Sequence, residues 1–191
     1  MSLQNFLNNV IPRLKIFAKR RATELGDLPA ANLRIAEVEI GSDGPRVKYQ
    51  VSVERFAAWD LYVELNTRVA TQSLDDDEGL ARETLTSFHA LFDITRQLLK
   101  TAGPGVALGD ESLANYALAI LNRVLRPFLS RWHPRLSAWE AERADEVSAF
   151  THEQAWKQHA DLRRELGVVR EILTGYSEAL AILAGVGAGD V

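Results

Sequence analysis

Three arginines beside large apolar residues are the side chains of this sequence best suited to bind an anion. They are Arg68, Arg96 and Arg126, and each lies in a segment whose apolar residues recur at helical spacing. A guanidinium presents a planar fork of N–H donors that fits the oxygens of phosphate or carboxylate. If the three helices adjoin, the arginines would line an anion pocket. The alternative, which we favour, is a set of structural ion pairs with nearby acids that fixes the register of the helices.

A run rich in tryptophan and arginine, from Asn115 to Glu140, is the second candidate for a functional site. It contains Arg126, Trp132, His133 and Trp139 together with two prolines. Tryptophan and arginine are typical of the residues that dominate protein–protein binding. These four residues are therefore the predicted contact cluster for a protein partner. An equally supported alternative is a helix that bends at its two prolines and is held by packed aromatic rings.

No complete catalytic or metal-binding signature accompanies these residues. The sequence has no cysteine, which excludes disulfides, a thiolate nucleophile and cysteine-ligated metals. His152 and His159 are about 10 Å apart along one predicted helix, whereas metal-binding pairs on a helix usually lie at i and i+4. Packed histidines are therefore favoured over ligands. Phosphate-binding loops, the nucleophile elbow and the EF-hand are also absent from the sequence, so we predict no enzymatic activity, metal or cofactor.

The charge is distributed unevenly along the chain. The formal net charge of -4 argues against general nucleic-acid binding, which usually requires a basic excess. Residues 1–21, however, carry arginine and lysine without any acid, and their apolar residues recur at helical spacing. We favour a core helix with a solvated basic face, and the alternative is a helix that lies on an anionic membrane or an acidic partner. Without a signal-peptide pattern or a spanning apolar run, a cytoplasmic location is expected.

The periodicity of the apolar residues predicts a mostly α protein, an antiparallel bundle of long helices. Residues 1–185 should form one domain, and residues 186–191 a flexible tail. The last predicted helix has an apolar seam in steps of three and four from His152 to Leu183, typical of the centre of a bundle or the seam of a dimer. Gly167 and Gly175 on this helix would permit the close approach of another helix.

A small β-hairpin is predicted after the first helix, at about residues 33–53. Apolar and polar residues alternate strictly from Val47 to Val53, which is typical of a strand with one buried and one wet face. The Asp43-Gly44 step before it is a strong hairpin-turn signal. Because an isolated hairpin is marginal in water, this one should pack on the helices or pair with a partner.

Three stretches between residues 59 and 140 resemble a pattern found in uncharacterised bacterial helical proteins. They are Leu61–Arg68, Leu85–Arg96 and Leu121–Pro134. Some proteins of this kind belong to multi-gene defence or conflict systems, so the resemblance implies a part in a bacterial multiprotein system. It implies no catalytic residues.

The leading functional prediction is a non-enzymatic protein–protein interaction or adaptor module. Its partner would bind the contact cluster, or the chain would associate with itself through the last helix. One alternative is a sensor of small anions or nucleotides that uses Arg68, Arg96 and Arg126. The other is a peripheral membrane protein that uses residues 1–21.

Overall fold

The computed structural model describes residues 2–25, 45–67 and 79–186. These ranges contain helices and turns but no strand, so this part of the chain is all-α and the predicted helical class is confirmed. None of the described helices is long and apolar enough to cross a membrane. In chain order the elements are α1 (Leu3–Leu25), α2 (Pro45–Asn66), α3 (Ala81–Ala102), a 3₁₀ turn (Pro104–Ala107), α4 (Leu113–Ala119), a π segment (Ile120–Leu125), α5 (Arg126–Glu140), α6 (Ala149–Gln154) and α7 (His159–Ala184).

The helix α7 is the one against which α1 and α2 pack. Both lie along it, and α2 also contacts α3. The seam residues of α7 are at most 3% exposed in the single chain. They are Leu162, Leu166, Val169, Leu173, Tyr176, Leu180 and Leu183. The apolar surface predicted for a bundle centre or a dimer seam is therefore already buried within one chain.

The predicted β-hairpin is wrong in its second strand, because residues 47–53 lie inside α2. The alternation over these seven residues also satisfies a helical period, since Val47 and Val51 are four residues apart and begin a spacing of four and three that reaches Leu61 and Leu65. Leu61 and Leu65 are buried in the core. The helix α2 that contains this run packs on α7, and this tertiary packing outweighs the β propensity of a short valine-rich run. The first predicted strand lies outside the described residues.

The last predicted helix is interrupted, and its seam begins later than predicted. His152 belongs to α6, the chain turns at residues 155–158, and His159 is the first residue of α7. In this turn Trp156 packs edge-on against Trp132 with 6.0 Å between ring centroids. Contacts of this kind compensate for the helical hydrogen bonds that the turn gives up. The two histidines consequently do not share one helical face.

The helix that was predicted to bend or break at Pro127 and Pro134 does not break at either proline. The helix α5 continues through Pro134 without interruption. Before Pro127 the helix does not break either, but it widens into the π segment, in which the N–H of Arg126 donates to the carbonyl of Leu121 five residues earlier. Proline lacks an N–H and its ring clashes with the carbonyl four residues before it. A wider turn at this position accommodates that clash while the chain remains helical.

Of the two glycines in α7, Gly175 is the one that α1 approaches closely. A Cβ at this position would lie 2.5 Å from Cγ2 of Ile11, which is 4% exposed. Ile11 is β-branched and therefore stiff at χ1, so it cannot easily move aside. At Gly167 a Cβ would meet nothing within 4 Å. The predicted close approach of another helix is therefore found at Gly175 and not at Gly167.

We expect Gly175→Ala to lower the free energy of unfolding and Gly167→Ala to raise it. Both changes add about 1 kcal/mol of helix propensity, but overpacking against Ile11 costs about 1–3 kcal/mol. The net change should be a loss of up to about 2 kcal/mol at Gly175 and a gain of up to about 1 kcal/mol at Gly167. Urea unfolding of both variants measures the difference, and equal stabilisation of the two would contradict the close packing of α1 on α7.

Candidate functional site

The candidate site is a groove between the C-terminal half of α3, the 3₁₀ turn and the continuous helix formed by α4, the π segment and α5. Its volume of about 550 Å³ is within the range of ligand-binding clefts. Most of the side chains that line it are apolar, and they form its floor. They are Phe92, Leu99, Pro104, Val106, Ala107, Ala114, Leu118 and Leu121.

Among the described residues, three cations and no acid line this groove. Arg96 and Lys100 are one helical turn apart on α3, and Arg126 faces them from the start of α5. All three are exposed. The carboxylate of Asp93, 2.5 Å from Nη1 of Arg96, does not line the groove. The groove is therefore an apolar floor with positive charge on both walls.

One contact along its own helix and one across the groove hold the guanidinium of Arg126. Its Nε donates to Oδ1 of Asn122 at 3.1 Å, and its central carbon lies 5.2 Å from the centre of the Phe92 ring. A cation above an aromatic face is attracted by the negative face of the ring. The terminal nitrogens of Arg126 have no hydrogen-bond partner in the described part of the chain. They are free to donate to an anionic group of a ligand.

The π segment keeps Arg126 on the face that lines the groove. Residues four apart in a regular α-helix rotate by about 40° per step, because a turn contains 3.6 residues. Ala114, Leu118, Asn122 and Arg126 are each four apart, yet all of them line one groove. The π turn, with its hydrogen bonds from i to i+5, holds more residues per turn and compensates for this drift. Segments of this kind are frequent at functional sites.

Two of the three arginines predicted to bind an anion, Arg96 and Arg126, are brought together in this groove. Arg68 lies outside the described residues. Sequence reasoning missed Lys100 as a member of the set. The signal for it was present, because Arg96 and Lys100 are four residues apart and flank the apolar residue Leu99.

The predicted contact cluster does not form one surface. Trp132 is 3% exposed, and its Nε1 donates to Oε2 of Glu165 at 2.9 Å. Trp139 is stacked on His152 with 4.4 Å between ring centroids, and its Nε1 donates to the backbone carbonyl of His152. These rings are part of the packing between α5 and the segment that follows it. Arg126 alone of the four lines the groove.

His133, the fourth member of that cluster, lies in a polar cluster between α3 and α5. Its Nδ1 is 3.1 Å from Nη1 of Arg82, which also pairs with Glu140 and donates to Ser137. The ring of His89 is 6.3 Å away between centroids. Burial lowers the pKa of His133 below its usual 6.5, and the charges of Arg82 and His89 lower it further. The neutral ring therefore accepts the hydrogen bond from Arg82.

A second hollow, of about 630 Å³, adjoins the groove and shares two of its lining residues. Arg13 and Arg123 line it together with Asp110 and Glu111. Glu111 accepts hydrogen bonds from Arg13 at 3.5 Å and from Arg20 at 3.1 Å, which ties α1 to the loop before α4. Because its acids balance its bases, this hollow does not select an anion.

The basic side chains of residues 1–21 are largely paired within the chain. Besides the contacts of Glu111, Lys15 pairs with Glu178 and Arg21 pairs with Glu54. The apolar face of α1 packs on α7, which leaves Ile16 as the exposed large apolar side chain of α1. This helix therefore presents to solvent little of the surface that a membrane-bound helix inserts.

Glu153 is a buried acid, 4% exposed, whose contacts are those of a structural residue. Its carboxylate accepts the backbone N–H of Ala81 at 2.9 Å and lies 3.3 Å from Nη2 of Arg163. Ala81 begins α3, where backbone N–H groups lack helical acceptors. Glu153 thus caps α3 and joins it to α6 and α7. No group of three histidine or acidic side chains in the described ranges is arranged to hold a metal ion.

Comparison with known proteins adds no family to this geometry. No protein-family model, no curated protein and no solved structure matches the chain. The groove is therefore interpreted from its own chemistry.

We expect the stability of the protein to fall as His133 becomes protonated. Because the pKa of His133 is lower in the folded chain than its usual 6.5, the unfolded chain binds more protons between these two values. The free energy of unfolding should decrease as the pH falls from about 6.5 and level off below the folded pKa. His133→Gln, which keeps an acceptor for Arg82, should reduce this dependence. An NMR titration of His133 with a midpoint at or above 6.5 would contradict the prediction.

Proposed function

We propose that this chain is a non-enzymatic binding module whose ligand is an amphipathic anion held in the groove. The observation that carries this proposal is the placement of Arg96, Lys100 and Arg126 on opposite walls above an apolar floor, with no acid among the lining residues in the described ranges. The apolar part of the ligand lies on the floor, and its negative group accepts hydrogen bonds from the cations. This combines the predicted interaction module with the predicted anion site.

The chemistry of the groove supplies two separate contributions to binding. Burial of apolar surface contributes about 25 cal/mol per Å², and a hydrogen bond to a charged group contributes about 1.5–3 kcal/mol. The cations are exposed, so salt will screen their attraction to the ligand. Binding that needs both an apolar body and a negative group, and that weakens with salt, is the behaviour expected of this site.

The other predicted functions have less support. A contact cluster built on Trp132 requires a ring that is 3% exposed to leave the core. Membrane binding by α1 requires its apolar face to leave α7. A place in a bacterial multiprotein system is a further part of the proposal, supported by the resemblance of residues 59–140 alone.

We also propose that the long helices form a bundle, in which α2 is antiparallel to α7. Support comes from the contact of Arg55 with Gly185 and of Asn66 with Ser177. The predicted antiparallel arrangement does not extend to α1, because Ile11 contacts Gly175 and Lys15 pairs with Glu178, as expected of a helix parallel to α7. The groove would then lie at one end of α3, outside the buried centre formed around α7.

A fluorescent probe with an aromatic body and one sulfonate, anilinonaphthalene sulfonate, tests this proposal. The folded chain should bind it, and the double variant Arg96→Ala with Arg126→Ala should bind it at least about 10-fold more weakly, since a factor of ten needs only 1.4 kcal/mol. Fluorescence titration at low and high salt measures both effects.

The matched control is Arg164→Ala. Arg164 is exposed and pairs with Asp161 three residues earlier, as Arg96 pairs with Asp93, but it does not line the groove. Its loss should leave probe binding unchanged. Circular dichroism must show that all variants are folded, because this probe also binds loosely packed chains. Equal binding by the wild type and the double variant would overturn the proposal.

A further inference from the structure

We infer that the occupant of the groove is an acidic amphipathic helix from a partner protein. This inference rests on the proposed function and names the chemical class of the ligand. Its support comes from the length of the groove, the exposure of Leu118 in its apolar lining and the positions of its cations.

The groove follows α3 for the length of a short helix. The residues of α3 that line it are Phe92, Arg96, Leu99 and Lys100, which form a continuous stripe at spacings of four, seven and eight. Eight residues of helix correspond to about 12 Å, and Gly103 extends the lining just beyond the end of α3. A partner helix of at least two turns that lies along α3 matches this length. A stripe of this kind is the surface that one helix offers to the ridges of another.

Part of the apolar lining of the groove is open to solvent. Leu118 is 45% exposed, whereas Val106 and Leu121 beside it in the lining are buried. Pockets for small molecules usually enclose most of the ligand and bury their apolar side chains around it. An open groove with an exposed leucine fits the apolar face of an amphipathic helix, which binds by anchors at i, i+3, i+4 and i+7.

The cations define the charge of the partner helix. Arg96 and Lys100 are four residues apart, so they match acids four residues apart on one flank of a docked helix. Arg126 on the opposite wall matches an acid on the other flank. The partner therefore carries an apolar stripe with aspartate or glutamate on both sides. A basic groove on a chain of net charge -4 also guides such a helix to this position and away from the rest of the surface.

A designed peptide tests the inference with the full-length protein. The probe is a fluorescently labelled 14-residue helix, about 21 Å long, with leucine at i, i+3, i+4, i+7 and i+11 and glutamate on both flanks. The comparison peptide has lysine in place of every glutamate. Fluorescence anisotropy should show that the glutamate peptide binds at least about 10-fold more tightly at low salt, with a difference that shrinks as salt is added.

Charge reversal in the groove gives the sharper measurement. The double variant Arg96→Glu with Lys100→Glu should bind the glutamate peptide at least about 10-fold more weakly than the wild type does. It should bind the lysine peptide more tightly. The matched control, Lys157→Glu with Arg164→Glu, changes the net charge equally at two exposed residues outside the groove. The control variant should still bind the glutamate peptide more tightly than the lysine peptide.

The outcomes separate this inference from the proposed function. Binding of anilinonaphthalene sulfonate that depends on Arg96 and Arg126, without preference for the glutamate peptide, would overturn the helix as occupant and leave the anion-binding module. Preference for the glutamate peptide that survives reversal of Arg96 and Lys100 would also overturn the inference, since the peptide would then bind elsewhere. Absence of binding by both probes would overturn both proposals.

Discussion

Burial of α7 on several sides is the constraint on which the rest of the fold depends. Two long helices of the same chain must approach it closely, and they do so in different ways. The helix α1 reaches it where Gly175 leaves space for Ile11, and α2 adds a polar contact in which Nδ2 of Asn66 donates to Oγ of Ser177 at 2.7 Å. The groove lies between α3, the 3₁₀ turn and the helix from α4 to α5, and no residue of α1, α2 or α7 in the described ranges lines it. The binding surface can therefore differ from the core around α7 in its chemistry.

The π segment is where the requirements of the fold and of the groove meet. The helix from α4 to α5 has to bury Val124, Leu125 and Phe128 on one side and to line the groove on the other. A regular helix would rotate Arg126 away from the groove, while the wider turn keeps it opposite Arg96. The wider turn also places Pro127 where its missing N–H costs little. A local departure from ideal helix geometry that serves a surface rather than the core is expected at functional positions.

Much of the fold could be predicted from the sequence because long helices have a clear period. The seam from Leu162 to Leu183 follows directly from this period. The start of α4 follows from Ser112, which caps that helix by accepting the N–H of Asn115. The helical structure of residues 47–53 could not be predicted, because seven alternating residues fit two periods and the local sequence does not decide between them. The turn at residues 155–158 was equally hidden, since it depends on contacts of Trp156 and Glu153 with distant helices.

The site was predictable only in part for the same reason. Residue type alone does not show whether a tryptophan packs inside, as Trp132 does, or lies on a surface. Arginines near apolar residues are similarly ambiguous until the helices are placed. What separates Arg126 from the arginines of the ion pairs is its position above Phe92, without a carboxylate partner in the described part of the chain.

The charges of the groove have no evident role in stability. Most other cations of α1, α3 and α7 have carboxylate partners, as in the pairs of Arg21 with Glu54 and of Arg163 with Glu153. Exposed ion pairs contribute only about 0–1 kcal/mol each, so the fold loses little when Lys100 and Arg126 have no carboxylate partner in the described ranges. Cations placed around an apolar floor that no acid of the described residues lines raise the potential of the groove, and stability does not require that arrangement. A ligand with a negative group and an apolar face would neutralise these cations and bury the apolar residues of the groove.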